Sequence, residues 1–156
     1  MKSRNAINAI FMAVLLLTGT CAAAEGIGKI KTLSGDVTIE RDGKTMAPAL
    51  GNPVFQKDKI VTGKNGSVGL LFDDDSRLSA GPNSTLDLEK FSYDPATHDG
   101  SFDVSMKKGV LSVISGKLTQ KTPGALKVKT PAAILAVRGT EFSVKVEDPS
   151  EEKAAQ

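Results

Sequence analysis

The sequence predicts an all-β protein, because short runs of alternating apolar and polar residues follow one another and turn-forming residues separate them. Residues 127–146 (KVKTPAAILAVRGTEFSVKV) show the pattern most clearly. There Lys127 and Lys129 alternate with Val128 and Thr130, and apolar residues alternate with polar ones again near the end of the segment. This segment is predicted to form two strands joined by a short, nearly uncharged link. No stretch has a convincing helical period.

Ten runs have the length and composition of strands. They cover residues 29–33, 36–41, 59–62, 67–72, 77–80, 84–88, 100–107, 110–115, 125–130 and 141–146. The Asp-Gly pair at 42–43 and the Asn-Gly pair at 65–66 supply hairpin turn chemistry. Residues 46–54 are predicted to be an irregular connection, and residues 92–100 (SYDPATHDG) an exposed loop. Many short strands at this spacing predict one compact all-β domain.

The first 24 residues have the order of a secretory signal peptide, with basic residues first, then an apolar core over residues 9–17, and three alanines before Glu25. This core is too short for a membrane helix, which needs about 20 residues. We therefore expect residues 1–24 to be cleaved and the protein to be exported without a membrane span. The less favoured alternative is lipid attachment at Cys21, although the three residues before it do not form the usual lipobox.

Export would also change the charge and the thiol content of the protein. The whole chain has 20 Lys and Arg against 18 Asp and Glu, and removal of Lys2 and Arg4 leaves an even balance. An even balance argues against nucleic acid as a partner, because phosphate binding requires a net basic field. Cleavage would also remove Cys21, the only cysteine, and with it any disulfide or thiolate ligand.

The exported chain is predicted to consist of one domain and a tail. Residues 25–146 are long enough for a domain with its own core, and residues 147–156 have the composition of a frayed terminus. Aromatic residues are few and tryptophan is absent, so the core must consist mainly of Val, Ile, Leu and a few Phe. An exposed aromatic platform for stacking on sugars is therefore not expected.

Asp73, Asp74 and Asp75 form an acidic triplet between two predicted strands. Calcium-binding loops place carboxylates at alternate positions and add a distant bidentate Glu, whereas consecutive carboxylates point in different directions. We therefore expect a solvated hairpin turn at the triplet rather than a metal site.

No group of residues falls into a catalytic frame. His98, the only histidine, lies beside Asp99, but no nucleophile elbow accompanies it, so it is expected to be an exposed loop residue. Ser112, Ser115 and Lys117 do not form an S-x-x-K frame, and the glycines match neither a dinucleotide-binding nor a phosphate-binding loop. We therefore expect no enzyme activity, no cofactor and no metal.

Arg138, Gly139, Thr140 and Phe142 form a second candidate region, because they follow an apolar stretch. A lone Arg in such a context is expected to pair with a carboxylate, such as one of the acidic triplet. Gly139 allows the backbone to turn or to pass close to another segment. A structural corner is the favoured interpretation, and a ligand contact is the alternative.

Five phrases of the sequence occur in a recognisable order and spacing. They are Gly35 with Val37, residues 51–53 followed by 57–63 (KDKIVTG), residues 66–78 (GSVGLLFDDDSRL), residues 109–111, and residues 128–142 (VKTPAAILAVRGTEF). In this order they resemble the periplasmic domain of the FecR family, the ferric-citrate-type regulators. The sequence departs from the family at Asp74, Asp75 and Ser76, where an acidic-Gly-Ser hairpin is usual. It also has a predicted signal peptide where family regulators have an anti-sigma segment and a membrane helix.

The resemblance implies an all-β periplasmic domain used for protein contact, built as a β-roll, a short solenoid or a sandwich, with an exposed edge or groove that accepts a partner strand. We expect a non-enzymatic module, acting as a signalling accessory or binding another protein of the Gram-negative envelope. The expected contact regions are residues 138–146 and the hairpin from Phe72 to Arg77. The alternative is a module that binds cell wall or glycan. The identity of the partner and the oligomeric state are left open.

Overall fold

The computed structural model describes residues 25–139 and 141–147. These residues form one short helix, α1 (Lys117–Lys121), and twelve strands. The strands are β1 (Gly28–Ser34), β2 (Val37–Arg41), β3 (Lys44–Met46), β4 (Pro53–Val54), β5 (Lys59–Thr62), β6 (Ser67–Phe72), β7 (Arg77–Ala80), β8 (Thr85–Tyr93), β9 (Gly100–Ile114), β10 (Leu126–Lys129), β11 (Ile134–Ala136) and β12 (Glu141–Val146). The predicted signal peptide, Cys21, Thr140 and residues 148–156 lie outside the described residues.

The strands form one curled, mainly antiparallel sheet, which confirms the predicted all-β fold. Its main path runs in the order β3-β2-β5-β8-β9-β7-β6-β1-β4. β9 has fifteen residues, and its first part pairs with β8 while its last part pairs with β7. The two parts of the sheet therefore meet on a single strand. Of the predicted architectures, the roll describes this arrangement.

The other edge of β9 is occupied by the carboxy-terminal strands. β10 pairs in parallel with residues 102–105, and β12 pairs antiparallel with residues 109–114. A parallel pair needs a crossover connection, and α1 lies within this one. Leu118 of α1 is fully buried, so the crossover also covers part of the core. β11 pairs with β10 on the side away from β9.

The hydrophobic core combines side chains from both parts of the sheet. Phe72 of β6 packs on Phe102 of β9 with ring centroids 4.5 Å apart, and Phe91 of β8 meets Phe102 edge-on at 5.0 Å. A fully buried side chain of this size stabilises a fold by about 1.5–3 kcal/mol. Each aromatic pair adds about 0.5–1.5 kcal/mol beyond the area that it buries. The aromatic trio therefore holds together strands that belong to different parts of the roll.

Two predicted strands turn out to be one, and a predicted loop is shorter than expected. The runs 100–107 and 110–115 are joined in β9, because Lys108 pairs with β8 and Gly109 pairs with β12. Residues 92 and 93 extend β8, because they pair with the first residues of β9. The local pattern did not show these pairings, since both depend on partners distant in sequence.

Three further segments were predicted without regular structure but have it. Residues 53–54, inside the predicted irregular connection, form β4 and pair with β1. The predicted link after residue 130 contains β11. The helix α1 is only five residues long, which is too short to produce a helical period. Among the described residues, no helix has the length and apolarity needed to cross a membrane.

Gly109 lies where β9 passes from one part of the sheet to the other. Its φ is +102°, and a Cβ atom there would lie 2.1 Å from the Ser84 Oγ and 2.4 Å from the Ser84 Cα. Ser84 cannot move away easily, because its N–H donates to the Thr62 Oγ1 at 2.8 Å and its Oγ accepts from the Val110 N–H at 3.0 Å. Glycine satisfies both the backbone angle and the close approach.

We expect Gly109→Ala to lower the free energy of unfolding by about 3 kcal/mol or more, because it adds a steric clash to an unfavourable φ. Gly43→Ala is the matched control, since Gly43 also has a positive φ, +74°, but open space around it. The control should cost about 1–2 kcal/mol. Urea unfolding followed by far-ultraviolet circular dichroism measures both, as the chain has no tryptophan. Equal losses in the two variants would contradict the steric argument.

Candidate functional site

The acidic triplet lies at the tip of the β6–β7 hairpin, and its middle member is fully buried. The Asp74 carboxylate accepts hydrogen bonds from the Ser76 Oγ at 2.6 Å and from the Ser76 N–H at 3.1 Å. The Gly116 N–H donates to the Ser76 Oγ at 3.0 Å, and the Lys117 N–H donates to the Asp74 carbonyl at 2.7 Å. The prediction of a solvated turn was therefore wrong for Asp74, because the tip is bonded to the segment that begins α1.

Gly116 permits this contact between hairpin tip and helix. A Cβ atom at Gly116 would lie 2.2 Å from the Asp74 carbonyl oxygen and 2.4 Å from the Ser76 nitrogen. The hairpin tip and residue 116 therefore form one structural unit. No larger residue fits there without displacing the tip.

Asp75 completes the turn and pairs with the helix from outside. Its φ of +66° shows that it takes the left-handed conformation without a glycine. Its carboxylate lies 2.7 Å from the Lys117 Nζ, and the hydrogen bond from this ammonium group lowers the pKa of Asp75. Arg138, expected to pair with the triplet, is exposed and has no ion pair among the described residues. Within residues 25–139 and 141–147, no three Asp, Glu, His or Cys side chains converge as metal ligands would.

Asp73 lines an open cavity of about 580 Å³ at one end of the roll. The other lining residues are Glu25, Gly26, Ile27, Gln56, Phe91, Ser92, Tyr93 and Pro95. Partial loss of water at this wall raises the pKa of Asp73, and the nearby carboxylates of Glu25 and Asp74 raise it further. Ionised Asp73 is therefore slightly unfavourable in the folded state.

The phrase KDKIVTG contains a buried ion pair that sequence reasoning missed. The fully buried Asp58 carboxylate accepts from the Arg41 Nε at 2.6 Å, from its Nη2 at 2.7 Å and from the Phe55 N–H at 2.8 Å. This pairing raises the pKa of Arg41, whose guanidinium also lies 4.2 Å above the Phe55 ring. A bidentate pair closed by an aromatic ring leaves no open ligand position. The only signal in the sequence was a charged residue directly before a strand of apolar character.

His98 is half-buried rather than exposed as predicted. Its Nδ1 lies 2.6 Å from the Tyr93 hydroxyl, and its backbone N–H donates to the Asp94 carbonyl at 2.7 Å. The Asp94 carboxylate accepts from the Ala96 N–H at 2.8 Å, and this bond lowers the pKa of Asp94. Residues 94–99 therefore form an ordered turn that uses the histidine internally.

The region around Arg138 forms a shallow groove between β11 and β12. The groove has a volume of about 240 Å³ and is lined by Leu135, Ala136, Val137, Arg138, Gly139, Glu141 and Phe142. Gly139 has a φ of +132°, so it provides a turn, but a Cβ atom there would have no atom of the described residues within 4 Å, apart from its chain neighbours. Phe142 is partly buried against the core, whereas Arg138 is exposed. Phe142 therefore supports the fold, and Arg138 is available for contact.

β11 is the most exposed apolar strand of the described chain. Ile134 is 66% exposed and Leu135 is 36% exposed, and β10 is the strand that pairs with β11. Val137 donates to the Leu126 carbonyl and accepts from the Gly124 N–H, so both of its backbone groups face β10. Because backbone groups alternate along a strand, those of Ile134 and Ala136 face outward. We call β11 together with the adjacent groove the β11 edge.

The fold brings the two predicted contact regions to one end of the same sheet part. Arg77 of β7 lies opposite Ile114 of β9, and Ile114 lies opposite Glu141 of β12. Directly opposed residues share a face, so these three exposed side chains form a row across three strands. Sequence reasoning identified Arg77 and the 138–146 region, but it missed Ile134 and Leu135. Their uninterrupted apolar context was the available signal.

We expect Asp74→Asn to lower the free energy of unfolding by about 1–3 kcal/mol, because it weakens a buried acceptor that holds two donors of Ser76. Asp75→Asn is the matched control, because it removes the same charge from the neighbouring residue, which is exposed. Asparagine also tolerates the left-handed conformation of residue 75. The control should have little effect in the same urea unfolding experiment. Similar losses in both variants would contradict a structural role specific to Asp74.

We expect Asp73→Asn to stabilise the protein slightly at pH 7, by less than about 1 kcal/mol because the group is solvent-screened. Because the pKa of Asp73 is raised in the folded state, its contribution to the free energy of unfolding is most favourable below the unfolded-state pKa of about 3.9. This contribution is lost as the pH rises through the folded-state pKa. The gain should therefore vanish at pH 3. Asp75→Asn should show the opposite pH dependence with only a small amplitude, since the lowered pKa of this exposed group stabilises the fold slightly and only above the unfolded-state value. Thermal melts from pH 3 to pH 7 measure both, and a pH-independent effect at Asp73 would contradict the assignment.

The comparison with protein-family models agrees with the resemblance found in the sequence. The family model described as FecR protein matches residues 58–154, which is more than half of the chain. No curated protein matches. A solved structure titled "Cell surface anchoring domain" is 34% identical, covers 39% of this chain and 82% of its own, and has a TM-score of 0.38. The family match begins at the buried Asp58 and includes the hairpin tip and the β11 edge. The chain belongs to the FecR family.

Proposed function

We propose that this protein is a non-enzymatic periplasmic module that binds another envelope protein through the β11 edge. The FecR family is envelope-associated, which supports a place in the envelope. The predicted signal peptide supports export to the periplasm. The observation that carries the proposal is the apolar, outward-facing strand β11, whose side chains are all exposed.

The mode of binding is the addition of a partner strand to β11. The outward backbone groups of Ile134 and Ala136 pair with that strand, and such main-chain bonds supply affinity in strand addition. The side chains of Ile134 and Leu135 add apolar contact on alternate faces. Strand β11 is short, so these side-chain contacts supply part of the affinity.

Arg138 gives the β11 edge a preference for charge. Its guanidinium is exposed at the groove and carries no ion pair among the described residues. An acidic side chain on the incoming strand pairs with Arg138 and fixes the register of the added strand. The partner segment is therefore an extended stretch of apolar residues that includes an Asp or Glu.

Three residues whose side chains could act in catalysis bond to other groups inside the fold instead, which supports a role without catalysis. Asp58 is closed in an ion pair, Asp74 is bonded to Ser76, and His98 bonds to Tyr93. A cell-wall or glycan-binding role is the second candidate. It ranks lower because no aromatic side chain among the described residues is fully exposed as a stacking surface.

We expect Ile134→Asp to reduce recovery of the partner at least about tenfold, because a charge in an added-strand interface must be desolvated. Leu50→Asp is the matched control, since Leu50 is 65% exposed in the connection before β4, away from the β11 edge. The measurement is cross-linking in intact cells followed by affinity purification and quantitative mass spectrometry. Arg138→Ala should lower recovery without changing the melting temperature.

Two outcomes would contradict the proposal. One is equal recovery of the same proteins by wild type and Ile134→Asp. The other is retention of the protein on isolated cell wall after removal of wall-bound proteins, which would favour the glycan role. Circular dichroism of each variant separates a lost contact from a lost fold.

A further inference from the structure

β12 presents a second edge, distinct from β11. It pairs with β9 over its whole length, from Glu141 opposite Ile114 to Val146 opposite Gly109. No other described strand pairs with β12, and no described backbone hydrogen bond reaches its outer side. It contains neither a proline nor a register shift, which are features that commonly protect an edge.

The backbone groups that face outward from β12 follow from the pairing of Val110. The Val110 carbonyl accepts from the Gly81 N–H at 2.9 Å, and the Val110 N–H donates to the Ser84 Oγ at 3.0 Å. Both groups therefore face the β7–β8 side, and by alternation those of Leu111 and Val113 face β12. Their register partners, Val144 and Phe142, bond to β9.

It follows that Glu141, Ser143 and Lys145 direct their N–H and C=O groups to the free edge. Their side chains are exposed as well, on the face opposite the core. These three residues are one negative, one neutral and one positive, in that order along the strand. When two copies of this edge run antiparallel, each negative residue therefore lies opposite a positive one.

We propose that β12 pairs antiparallel with β12 of a second copy of this chain, about a twofold axis at Ser143. In this register Glu141 lies opposite Lys145 of the second copy, and Lys145 lies opposite its Glu141. All three outward residues fall in hydrogen-bonded pairs, while Phe142 lies opposite Val144 on the core face. An antiparallel pair of identical strands about a twofold axis gives a closed, isologous interface.

The surroundings of β12 fit this occupant. Ile114 and Val110 of β9, each 39% exposed, lie beside Glu141 and Lys145 on the outer face. In the paired state the charged side chains of both copies cover these apolar residues with their aliphatic stems. Lys145 now pairs with Glu147 at 2.8 Å, but both side chains are highly exposed, so exchange for Glu141 of the second copy costs little.

This self-pairing goes beyond the proposed function and does not depend on it. It uses the outer backbone groups of β12, whereas the envelope partner adds its strand to β11, and Glu141 lines the groove between the two. A chain that recovers no envelope protein can still dimerise, and a monomeric chain can still bind a partner.

Charge exchange on the full chain tests the proposal. Lys145→Glu places two carboxylates opposite each other in both symmetry-related pairs, and Glu141→Lys does the same with two ammonium groups. Each single variant should weaken the dimer by about tenfold or more in sedimentation equilibrium. The double variant Glu141→Lys/Lys145→Glu restores opposite charges and should regain the wild-type dimerisation constant.

A cysteine experiment tests the register in a chain with Cys21→Ser. Ser143→Cys should give a disulfide-linked dimer under mild oxidation, because hydrogen-bonded antiparallel pairs place Cα atoms about 5.5 Å apart. Lys145→Cys should not, since the Cα atoms of the two copies of this residue lie about 14 Å apart in the proposed register. Equal cross-linking of both variants would overturn the register. A protein that stays monomeric at all concentrations would overturn the proposal; this is the result expected if residues 148–156 or a strand of another protein occupied the edge. A double variant that dimerises no better than the single variants would also overturn it.

Discussion

The fold depends on one strand that serves two parts of the sheet. β9 pairs with β8 and β10 along its first part, and with β7 and β12 along its last part. The passage between the parts occurs at Gly109, where the backbone crosses against Ser84 with no room for a side chain. The aromatic trio and the buried hydrogen bond between Ser84 and Thr62 then hold the two parts at a fixed orientation. A change that moved this crossing would displace four neighbouring strands together.

The phrases that identify the family serve mainly this architecture. Asp58 forms an ion pair with Arg41. Asp74 and Ser76 attach the hairpin tip to residue 116, and Thr62 accepts a hydrogen bond from Ser84 beside the crossing at Gly109. Buried polar groups of this kind are costly unless satisfied, so they fix the geometry of the strands around them. A family signature made of such residues specifies the fold. The proposed partner would then be selected by exposed positions outside the buried networks.

The sequence predicted the fold class and most strands, because alternation and turn chemistry are local. It did not predict that β9 is a single strand, since no local pattern shows that the residues on both sides of Gly109 belong to one strand. It took the apolar stretch 131–137 as a link, because an uninterrupted apolar run does not distinguish a strand from a covered loop. The sequence also contained no sign that Asp74 is buried, since this depends on the segment at Gly116, whose N–H donates to Ser76 forty residues earlier in the chain. The sequence therefore predicted Arg138, Gly139 and Phe142 of the β11 edge but not Ile134 and Leu135.

The use of β9 also explains why β11 and β12 each have an outer side that no other described strand pairs with. A parallel strand and an antiparallel strand lie along the same side of β9, so they cannot continue one another, and each leaves an outer side to be filled. β10 is covered by β11, which is apolar and exposed, whereas β12 exposes one negative, one neutral and one positive side chain. Edges of such different chemistry do not compete for one partner, because an apolar strand gains little from a charged edge. The same constraint that builds the core therefore separates the surface that we propose for another protein from the surface that we propose for a second copy.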